Sequence, residues 1–431
     1  MHKEAVFAPG LPKPRVAYSP LVKAGPFRFI SGQLASDLTT GTPPQATIDH
    51  RFPHHGSDIE RQTAFVCDTV DNLLAAAGGA REHVLSFTNY LTDPADLNGA
   101  ERILQSHFGG TVPPHTTLLV EELPIPGCRT EIDLIAVVPE RSESVQILNP
   151  PSLPAAVPAA LGGAPIGHYG MRCGQWIFTA GLLATDFAHA IAPAADTTPA
   201  FPYYGERARL QTAYILDRLG SILDAGGAGF GDVVKADVYL TDLTDFFRVD
   251  EVWREYFPDQ PPARCTVPVE DLGIPGACVA INLTAYLPRQ GDVRRIIQTN
   301  DAPVPLAHEP QAVQAGPLLF FSQQMATDFR TGIPDEARLN PAFPFYGSES
   351  AAQVEYIVRN VAAICRAAGT DAANLVRRRG FYTDFGEFFT SFAAWGKAFP
   401  SEPPASTTVR VPKPLLVPGC KVAIDLMAII P

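Results

Sequence analysis

Phe27-Arg-Phe-Ile-Ser-Gly-Gln-Leu-Ala-Ser-Asp37 is the stretch that decides the fold, because it occurs three times. It returns as Trp176-Ile-Phe-Thr-Ala-Gly-Leu-Leu-Ala-Thr-Asp186 and as Leu318-Leu-Phe-Phe-Ser-Gln-Gln-Met-Ala-Thr-Asp328. A second landmark, Pro126-Gly-Cys-Arg-Thr-Glu-Ile-Asp-Leu-Ile-Ala136, returns as Pro275-Gly-Ala-Cys-Val-Ala-Ile-Asn-Leu-Thr-Ala285 and as Pro418-Gly-Cys-Lys-Val-Ala-Ile-Asp-Leu-Met-Ala428. Both landmarks shift by the same number of residues between the first two copies, and by nearly the same number between the last two. Such regular repetition indicates one structural unit present three times.

The hydrophobic period changes in the same order within each copy. The first landmark is rich in aromatic and β-branched residues, which predicts a strand. A long helix follows; in the first copy it is predicted to begin at Ser57, with Glu60 completing a capping box, and to end at Gly78-Gly79. A strand, a shorter amphipathic helix and two closing strands complete the copy. This order predicts an α+β module whose two helices cover one face of an antiparallel-rich sheet.

The landmarks divide the chain of 431 residues into three modules. We predict domains at residues 1–140, 164–288 and 305–431, each long enough to bury its own core. The segments between them, residues 141–163 and 289–304, are rich in Pro and Ala or in polar residues, and they are predicted to be linkers.

Composition excludes several classes of function. The net charge of −12 argues against a nucleic-acid partner, because phosphate binding requires a basic surface. The start of the sequence has no apolar segment typical of a secretory signal, and no apolar run reaches membrane-spanning length. The seven cysteines are scattered without CxxC spacing, which favours free thiols over a zinc site or disulfides. We therefore expect a cytoplasmic protein that needs no metal or organic cofactor.

The second copy carries the motifs of a known family. They are Thr179-Ala-Gly181, the helix end Asp224-Ala-Gly-Gly227, the strand Lys235-Ala-Asp-Val-Tyr-Leu-Thr-Asp242, and Pro262-Ala-Arg-Cys265. Together they resemble the RidA (YjgF/YER057c/UK114) family of imine and enamine deaminases, whose fold is chorismate-mutase-like. Family members are homotrimers with ligand sites in the clefts between subunits. The resemblance therefore implies a monomeric pseudo-trimeric barrel with its helices outside, which leaves further self-association open.

The resemblance also implies which residues act on the substrate. In the family, an arginine on the fifth strand holds the substrate carboxylate with its planar guanidinium group. That position is Arg264 in the second copy, His115 in the first and Ser406 in the third. A glutamate on the last strand positions the attacking water, and its position is Glu131 in the first copy, Ala280 in the second and Ala423 in the third. The resemblance thus implies that Arg264 binds substrate and that Glu131 is catalytic. His115 is predicted to be catalytic with Glu131, because a histidine near a carboxylate can act as a general acid or base near neutral pH. The alternative is that both residues line a repurposed surface between copies, with the histidine merely hydrogen-bonded.

Further substrate-binding residues follow from the same resemblance. The family's tyrosine before the first strand corresponds to Tyr18, Tyr169 and, in the third copy, approximately to Glu309. The small residue that faces the ligand corresponds to Gly32, Gly181 and Gln323. Thr266 and Asn282 complete the predicted substrate-binding set.

The third copy departs furthest from the family pattern. It has Ser406, Ala423 and Gln323 at the positions of the arginine, the glutamate and the glycine, so we expect its ancestral site to have lost the parent activity. Its basic run Arg377-Arg-Arg379 is predicted to be a solvated strand edge.

The predicted function is hydrolysis or tautomerisation of an imine or enamine on a small carboxylate, in a cleft between domains. Arg264 is expected to hold the carboxylate, and the backbone near Gly181 to donate a hydrogen bond to the reacting centre. One alternative is a chorismatase-like enol-ether hydrolase or lyase of a specialised biosynthetic pathway. Another is a non-catalytic ligand-binding or scaffold protein whose sites have degenerated.

Overall fold

Each module folds into a mixed sheet with two α-helices, which confirms three tandem α+β domains. The computed structural model describes residues 1–49, 51–139, 144–154, 167–198, 200–201, 205–399 and 401–431. Domain 1 consists of β1 (Lys3–Val6), β2 (Leu21–Ala24), β3 (Phe27–Leu34), α1 (Asp58–Ala76), β4 (Val84–Leu91), α2 (Leu97–Phe108), β5 (His115–Leu119) and β6 (Thr130–Val137). Its strands are ordered β1-β2-β3-β6-β4-β5.

Domains 2 and 3 repeat this order of elements. Domain 2 consists of β7 (Val145–Leu148), β8 (Gly170–Cys173), β9 (Trp176–Thr179), β10 (Leu182–Leu183), α3 (Arg207–Ala225), β11 (Val233–Leu240), α4 (Phe246–Tyr256), β12 (Ala263–Pro268) and β13 (Val279–Tyr286). Domain 3 consists of β14 (Arg294–Ile297), β15 (Ala312–Ala315), β16 (Leu318–Phe321), α5 (Glu349–Ala368), β17 (Leu375–Tyr382), α6 (Phe388–Lys397), β18 (Ala405–Arg410) and β19 (Val422–Ile429). None of the helices described here has the length and apolarity needed to cross a membrane.

One strand pair in each sheet is parallel, and its outer strand contacts a neighbouring domain. These pairs are β4 with β5, β11 with β12, and β17 with β18; the other pairs are antiparallel. The shorter helix of each domain connects the two parallel strands, since parallel neighbours need a crossover connection. Strands β5, β12 and β18 each end a sheet.

Both segments predicted to be linkers contain a strand, which corrects their interpretation. β7 and β14 are edge strands of the sheets of domains 2 and 3, pairing antiparallel with β8 and β15. Each occupies the place that β1 has in domain 1. Their residues were mistaken for linker because a four-residue edge strand gives little hydrophobic alternation.

The long helices begin and end close to the predicted positions. At the start of α1, the Ser57 hydroxyl accepts a hydrogen bond from the Glu60 N–H, as a capping residue does. The Glu60 carboxylate accepts from Arg102 on α2, so the second half of the predicted capping box does not form. Glu60 therefore binds Arg102 on the neighbouring helix instead of the backbone at the start of its own helix.

Alternation along the strands places the helices on one face of each sheet and the other domains on the opposite face. In β6, Ile132, Leu134 and Ala136 pack with α1, whereas Ile135 and Val137 face the other way. The opposite faces of all three sheets share one apolar cluster, to which domain 2 contributes Trp176 and domain 3 Phe320. The closed barrel itself stays a prediction.

Beside this apolar cluster lies a network of buried ion pairs that joins the domains. Arg377 binds Asp133 of domain 1, and Lys235 of domain 2 binds Asp425. Arg379 donates to Asp237 of domain 2 at 2.6 Å and to Asp425 of its own domain at 2.7 Å.

The prediction of a solvated strand edge at 377–379 is therefore wrong. All three arginines are buried because β18 and β19 flank β17 on both sides, so β17 is an interior strand. Arg377 and Arg379 face the other domains, and Arg378, with the opposite orientation that alternation requires, faces α6.

Candidate functional site

Three clefts arise where the last parallel strand of one domain meets the first landmark of another. In the 1/2 cleft, the Gly181 N–H donates to the His115 carbonyl at 3.1 Å, and in the 2/3 cleft the Gln323 N–H donates to the Arg264 carbonyl at 2.9 Å. In the 1/3 cleft, the Gly32 N–H donates to Thr407 Oγ1 at 3.0 Å. Each cleft thus combines residues of two domains, and the contacts run cyclically from domain to domain.

The 1/3 cleft contains Glu131, the one glutamate retained at the family position. Its side chain is 1% exposed, and its Oε1 accepts from the Thr408 N–H of domain 3 at 3.4 Å. Its Oε2 is buried without a hydrogen-bond partner in the described part of the chain. Burial raises the pKa of Glu131 well above the usual carboxyl value, which favours the protonated form of this side chain.

Gly32 and Tyr18 lie against this carboxyl. A Cβ at position 32 would be 1.8 Å from Glu131 Oε1, so only glycine leaves room for the side chain as it lies here. Burial, and secondarily the proximity of Glu131, raises the pKa of Tyr18 to about 12, which keeps the phenol protonated at neutral pH. The predicted residues Tyr18, Gly32 and Glu131 therefore share one cleft.

A guanidinium group lies on the domain 3 side of the same cleft, but it belongs to Arg378. Its Nη1 donates to Ser406 Oγ at 3.0 Å and to Thr408 Oγ1 at 3.3 Å, and its Nη2 donates to Tyr382 OH at 2.9 Å. Thr408 therefore contacts both groups, through its hydroxyl to Arg378 and through its N–H to Glu131. Arg378 could not be found from the family's arginine position alone, because Ser406 occupies that position.

In the 2/3 cleft, carboxylates of the chain itself hold Arg264. This side chain is fully buried, and it donates from Nε to Glu309 at 2.9 Å and from Nη2 to Asp250 at 2.6 Å. Arg264 lowers the pKa of Asp250 despite the opposing effect of burial, whereas burial raises the pKa of Glu309. Arg264 Nη1 has no hydrogen-bond partner among the described residues, but the two acids already neutralise the charge that a substrate carboxylate would need at Arg264.

The remaining 2/3 cleft residues lack reactive groups at the family positions. Gln323 and Ala423 stand where the 1/3 cleft has Gly32 and Glu131, and Thr266 is buried with its hydroxyl unpaired among the described residues. Arg264 and Glu131 consequently lie in different clefts, and so do the predicted catalytic residues His115 and Glu131.

The 1/2 cleft contains His115 in a closed set of contacts. Its Nε2 lies 3.2 Å from Glu101 Oε1 and its Nδ1 lies 3.0 Å from the Pro113 carbonyl, so both ring nitrogens donate when the ring is protonated. Burial opposes protonation, but Glu101 raises the pKa of His115 above its ordinary value. The ring also stacks on Phe87, with centroids 4.5 Å apart. These contacts are sufficient to explain His115 as a structural residue.

The other residues predicted for this cleft are also engaged by the protein. Tyr169 OH donates to the Pro154 carbonyl at 2.9 Å, and Asn282 Nδ2 donates to Thr116 Oγ1 at 3.1 Å. The Gly181 N–H, expected to face the reacting centre, is used by the His115 carbonyl. Strand-like pairing between the domains therefore takes the Gly181 donor, and a hydrogen bond to the substrate from the backbone near Gly181 stays a prediction.

One buried group of residues has the composition of a metal site. Ligand atoms of Asp237, Cys265 and Asp425 lie close enough together to contact one ion. However, Arg379 and Lys235 already neutralise the two carboxylates, and burial raises the pKa of the Cys265 thiol well above its usual value. A protonated thiol is a poor metal ligand, so these residues fit an ion-pair network better than a metal centre.

The raised pKa of Glu131 predicts a pH-dependent stability difference. Above the ordinary carboxyl pKa of 4.5, the unfolded chain ionises Glu131 while the folded chain keeps it protonated, so the free energy of unfolding falls as pH rises. We therefore expect Glu131→Gln to be more stable than the wild type at pH 7, with a gap that shrinks toward pH 4.5. Urea unfolding of both proteins between these pH values measures the gap. A gap that stays constant or widens toward low pH would contradict the burial of a neutral carboxyl.

Comparison with known proteins agrees with three tandem domains of one family. A family model described as Endoribonuclease L-PSP matches residues 10–138, 162–287 and 299–430. A RutC family protein of Pyrococcus abyssi is 36% identical over 114 residues, which are 25% of this chain and 78% of that protein. The chloroplastic Reactive Intermediate Deaminase A of Arabidopsis thaliana is 41% identical over 70 residues, covering 16% of this chain and 37% of that protein. The solved RidA of an Antarctic Psychrobacter species is 26% identical with a TM-score of 0.27, covering 32% of this chain and all (100%) of that one.

The three modules and their shared clefts define a protein of the RidA-like class in which one chain supplies all three domains. The chain belongs to the Endoribonuclease L-PSP family, known also as the RidA (YjgF/YER057c/UK114) family. This membership supports a RidA-like deaminase or hydrolase role in general.

Proposed function

We propose that this protein hydrolyses an imine or enamine of a small carboxylate, and that the reaction takes place in the 1/3 cleft. The observation that carries the proposal is Glu131, a buried carboxyl with a raised pKa and a free oxygen, with Tyr18 and Gly32 beside it. A general acid or base works best when its pKa lies near the working pH, and burial moves a carboxyl in that direction.

The chemistry needs one group that first gives and then takes a proton. Protonated Glu131 donates to the carbon of an enamine, which becomes an iminium ion. The resulting carboxylate then removes a proton from water as the water oxygen bonds to the iminium carbon. The carbinolamine loses ammonia when its hydroxyl proton passes to nitrogen and the C–N bond breaks. The products are a ketone and ammonia, and Glu131 is again protonated.

The other two clefts are less suited to this reaction. Ala280 and Ala423 occupy the position of Glu131, so neither cleft has a carboxyl there. Their basic side chains are held by acids of the protein itself, His115 by Glu101, and Arg264 by Asp250 and Glu309. Chorismatase-like and non-catalytic functions stay predictions without a specific supporting contact.

A matched pair of glycine substitutions tests both the activity and its place. The wild type should accelerate loss of a 2-imino acid generated in situ by an L-amino-acid oxidase, measured as reduced trapping by semicarbazide. Gly32→Ala should lower kcat/KM at least tenfold, because its Cβ would displace the Glu131 carboxyl. Gly181→Ala makes the same change in the 1/2 cleft, where the Cβ would meet Thr116, and should leave kcat/KM within about threefold.

Two results would contradict the proposal. A wild-type protein that does not accelerate imine loss would remove the activity. A loss caused by Gly181→Ala but not by Gly32→Ala, with both variants folded by circular dichroism, would move the reaction to the 1/2 cleft.

A further inference from the structure

Arg378 differs from the other buried cations of the described chain in what surrounds it. Arg264, Arg377, Arg379 and Lys235 are each bound to a carboxylate. The two remaining buried cations, Lys3 and Arg28, donate to backbone carbonyls and each has an acid in electrostatic range. Arg378 is fully buried, and its hydrogen-bond partners among the described residues are three neutral hydroxyl groups.

No ion pair within the described ranges of the chain neutralises the charge of Arg378. Its Nε is buried and has no partner in the described residues, and the guanidinium carbon lies 4.7 Å from the ring centre of Phe392 and 5.1 Å from that of Trp395. Burial lowers the pKa of Arg378, which shows the cost of keeping it charged here. Buried charges are costly unless they are paired, so such a group is expected to have an anionic partner in the working protein.

The register of the parallel strands explains how Arg378 reaches this place. Ser406 on β18, at the family's arginine position, lies directly beside Arg378 on β17, just as Arg264 on β12 lies beside Ala236 on β11. The guanidinium carbons of Arg378 and Arg264 both lie 5.1 Å from the equivalent tryptophan rings, Trp395 and Trp253. The cation has thus moved to the neighbouring strand while its end group stays in the same surroundings.

Two further differences between the domains accommodate this exchange. Asp250 on α4, which binds Arg264, is matched in α6 by Phe392, so domain 3 lacks the acid that would neutralise the cation. Val238 on β11 is matched in β17 by Gly380, where a Cβ would lie 2.7 Å from both terminal nitrogens of Arg378. Gly380 makes room for the guanidinium of Arg378. Because Phe392 replaces the acid, this guanidinium is available to an anionic ligand.

We propose that Arg378 binds the carboxylate of the substrate in the 1/3 cleft, in place of the strand-β18 arginine that Ser406 has replaced. The inference rests on the proposed function for the identity of the substrate, a small 2-imino or 2-oxo acid. The ligand carboxylate supplies the missing negative charge. Thr408 contacts both Arg378 and Glu131, so it fixes the distance between the bound carboxylate and Glu131. The third domain therefore keeps a working half-site, contrary to the expectation from Ser406 alone.

Direct binding of 2-oxobutyrate to the full chain tests this assignment without requiring turnover. Isothermal titration should show Arg378→Met weakening 2-oxobutyrate binding at least tenfold, with Arg378→Lys recovering part because an ammonium lacks the planar fork. Arg264→Met is the matched control and should leave affinity within about threefold. The uncharged 2-oxobutanamide should bind the wild type and Arg378→Met equally weakly.

Stability separates loss of a binding group from loss of structure. Arg378→Met removes a cation that has no acid partner, so its melting temperature should equal or exceed that of the wild type, whereas Arg264→Met strands Asp250 and Glu309 and should melt lower. Unchanged 2-oxobutyrate affinity in Arg378→Met overturns the inference, even if imine hydrolysis is observed. Arg378-dependent binding without imine hydrolysis supports the inference and refutes the proposed function instead.

Discussion

Replacing Glu131 with Gln should lower kcat for imine hydrolysis by roughly 10²- to 10⁴-fold, the range that a positioned general acid or base contributes. The amide keeps the shape of the side chain and can still accept from the Thr408 N–H, but it cannot release a proton to the enamine or take one from water. KM should change little, because the charge that holds the substrate is elsewhere. Steady-state assays with the 2-imino acid generated in situ measure both constants.

The control for this substitution is Glu101→Gln in the 1/2 cleft. Glu101 is also a buried glutamate, but its partners are His115 and Thr117, at 3.2 Å each. Glu101→Gln should leave kcat within a few-fold of the wild type, and it should lower the free energy of unfolding. Equal loss of kcat in both variants would mean that Glu131 acts through the fold, and full activity of Glu131→Gln would refute its catalytic role.

Replacing Arg379 with Met should destabilise the protein by about 3–5 kcal/mol, the usual cost of removing one partner from a buried ion pair. Arg379 is 2% exposed and holds Asp237 and Asp425 from two domains. Lys235 remains on Asp425, but Asp237 loses its cation and stays buried beside the domain contact. Urea unfolding is the suitable measurement, because an ionic denaturant would screen the charges under study.

Two variants show whether the lost charge pair is the cause. Arg359→Met breaks an exposed pair with Glu336 at 3.0 Å and should cost less than about 1 kcal/mol. Arg379→Met combined with Asp237→Asn removes both charges and should recover part of the stability of the single variant. A single variant that unfolds like the wild type, or a double variant that is less stable than the single one, would contradict this account.

Much of the fold could be predicted because its signals lie within short stretches. The first landmark and the helix start at Ser57 each show their period over a few consecutive residues, and both form as predicted. The edge strands β7 and β14 could not be predicted, since four residues form a strand there only because a neighbouring hairpin provides the hydrogen bonds.

The residues of the candidate site also fall into those that could be predicted from the sequence and those that could not. Tyr18, Gly32 and Glu131 could be predicted as one half-site, because they belong to one domain and match one motif. Their partners in domain 3 could not, because more than 270 residues separate Glu131 from Thr408 and the intervening chain sets no distance between them. The family's arginine position pointed to Arg264, but Asp250 and Glu309 already neutralise the charge of that side chain.

The sequence by itself therefore determined the module, its three copies and the residue types that each copy offers, since local period and spacing are properties of contiguous chain. Only the tertiary structure decided which half-sites meet and which cations are neutralised. It also decided that Arg378 lies beside Ser406, the residue at the family's arginine position. These depend on the register of β17 against β18 and on contacts between domains. Burial makes these contacts energetically important, because a charge removed from water is costly unless the fold brings an oppositely charged group beside it.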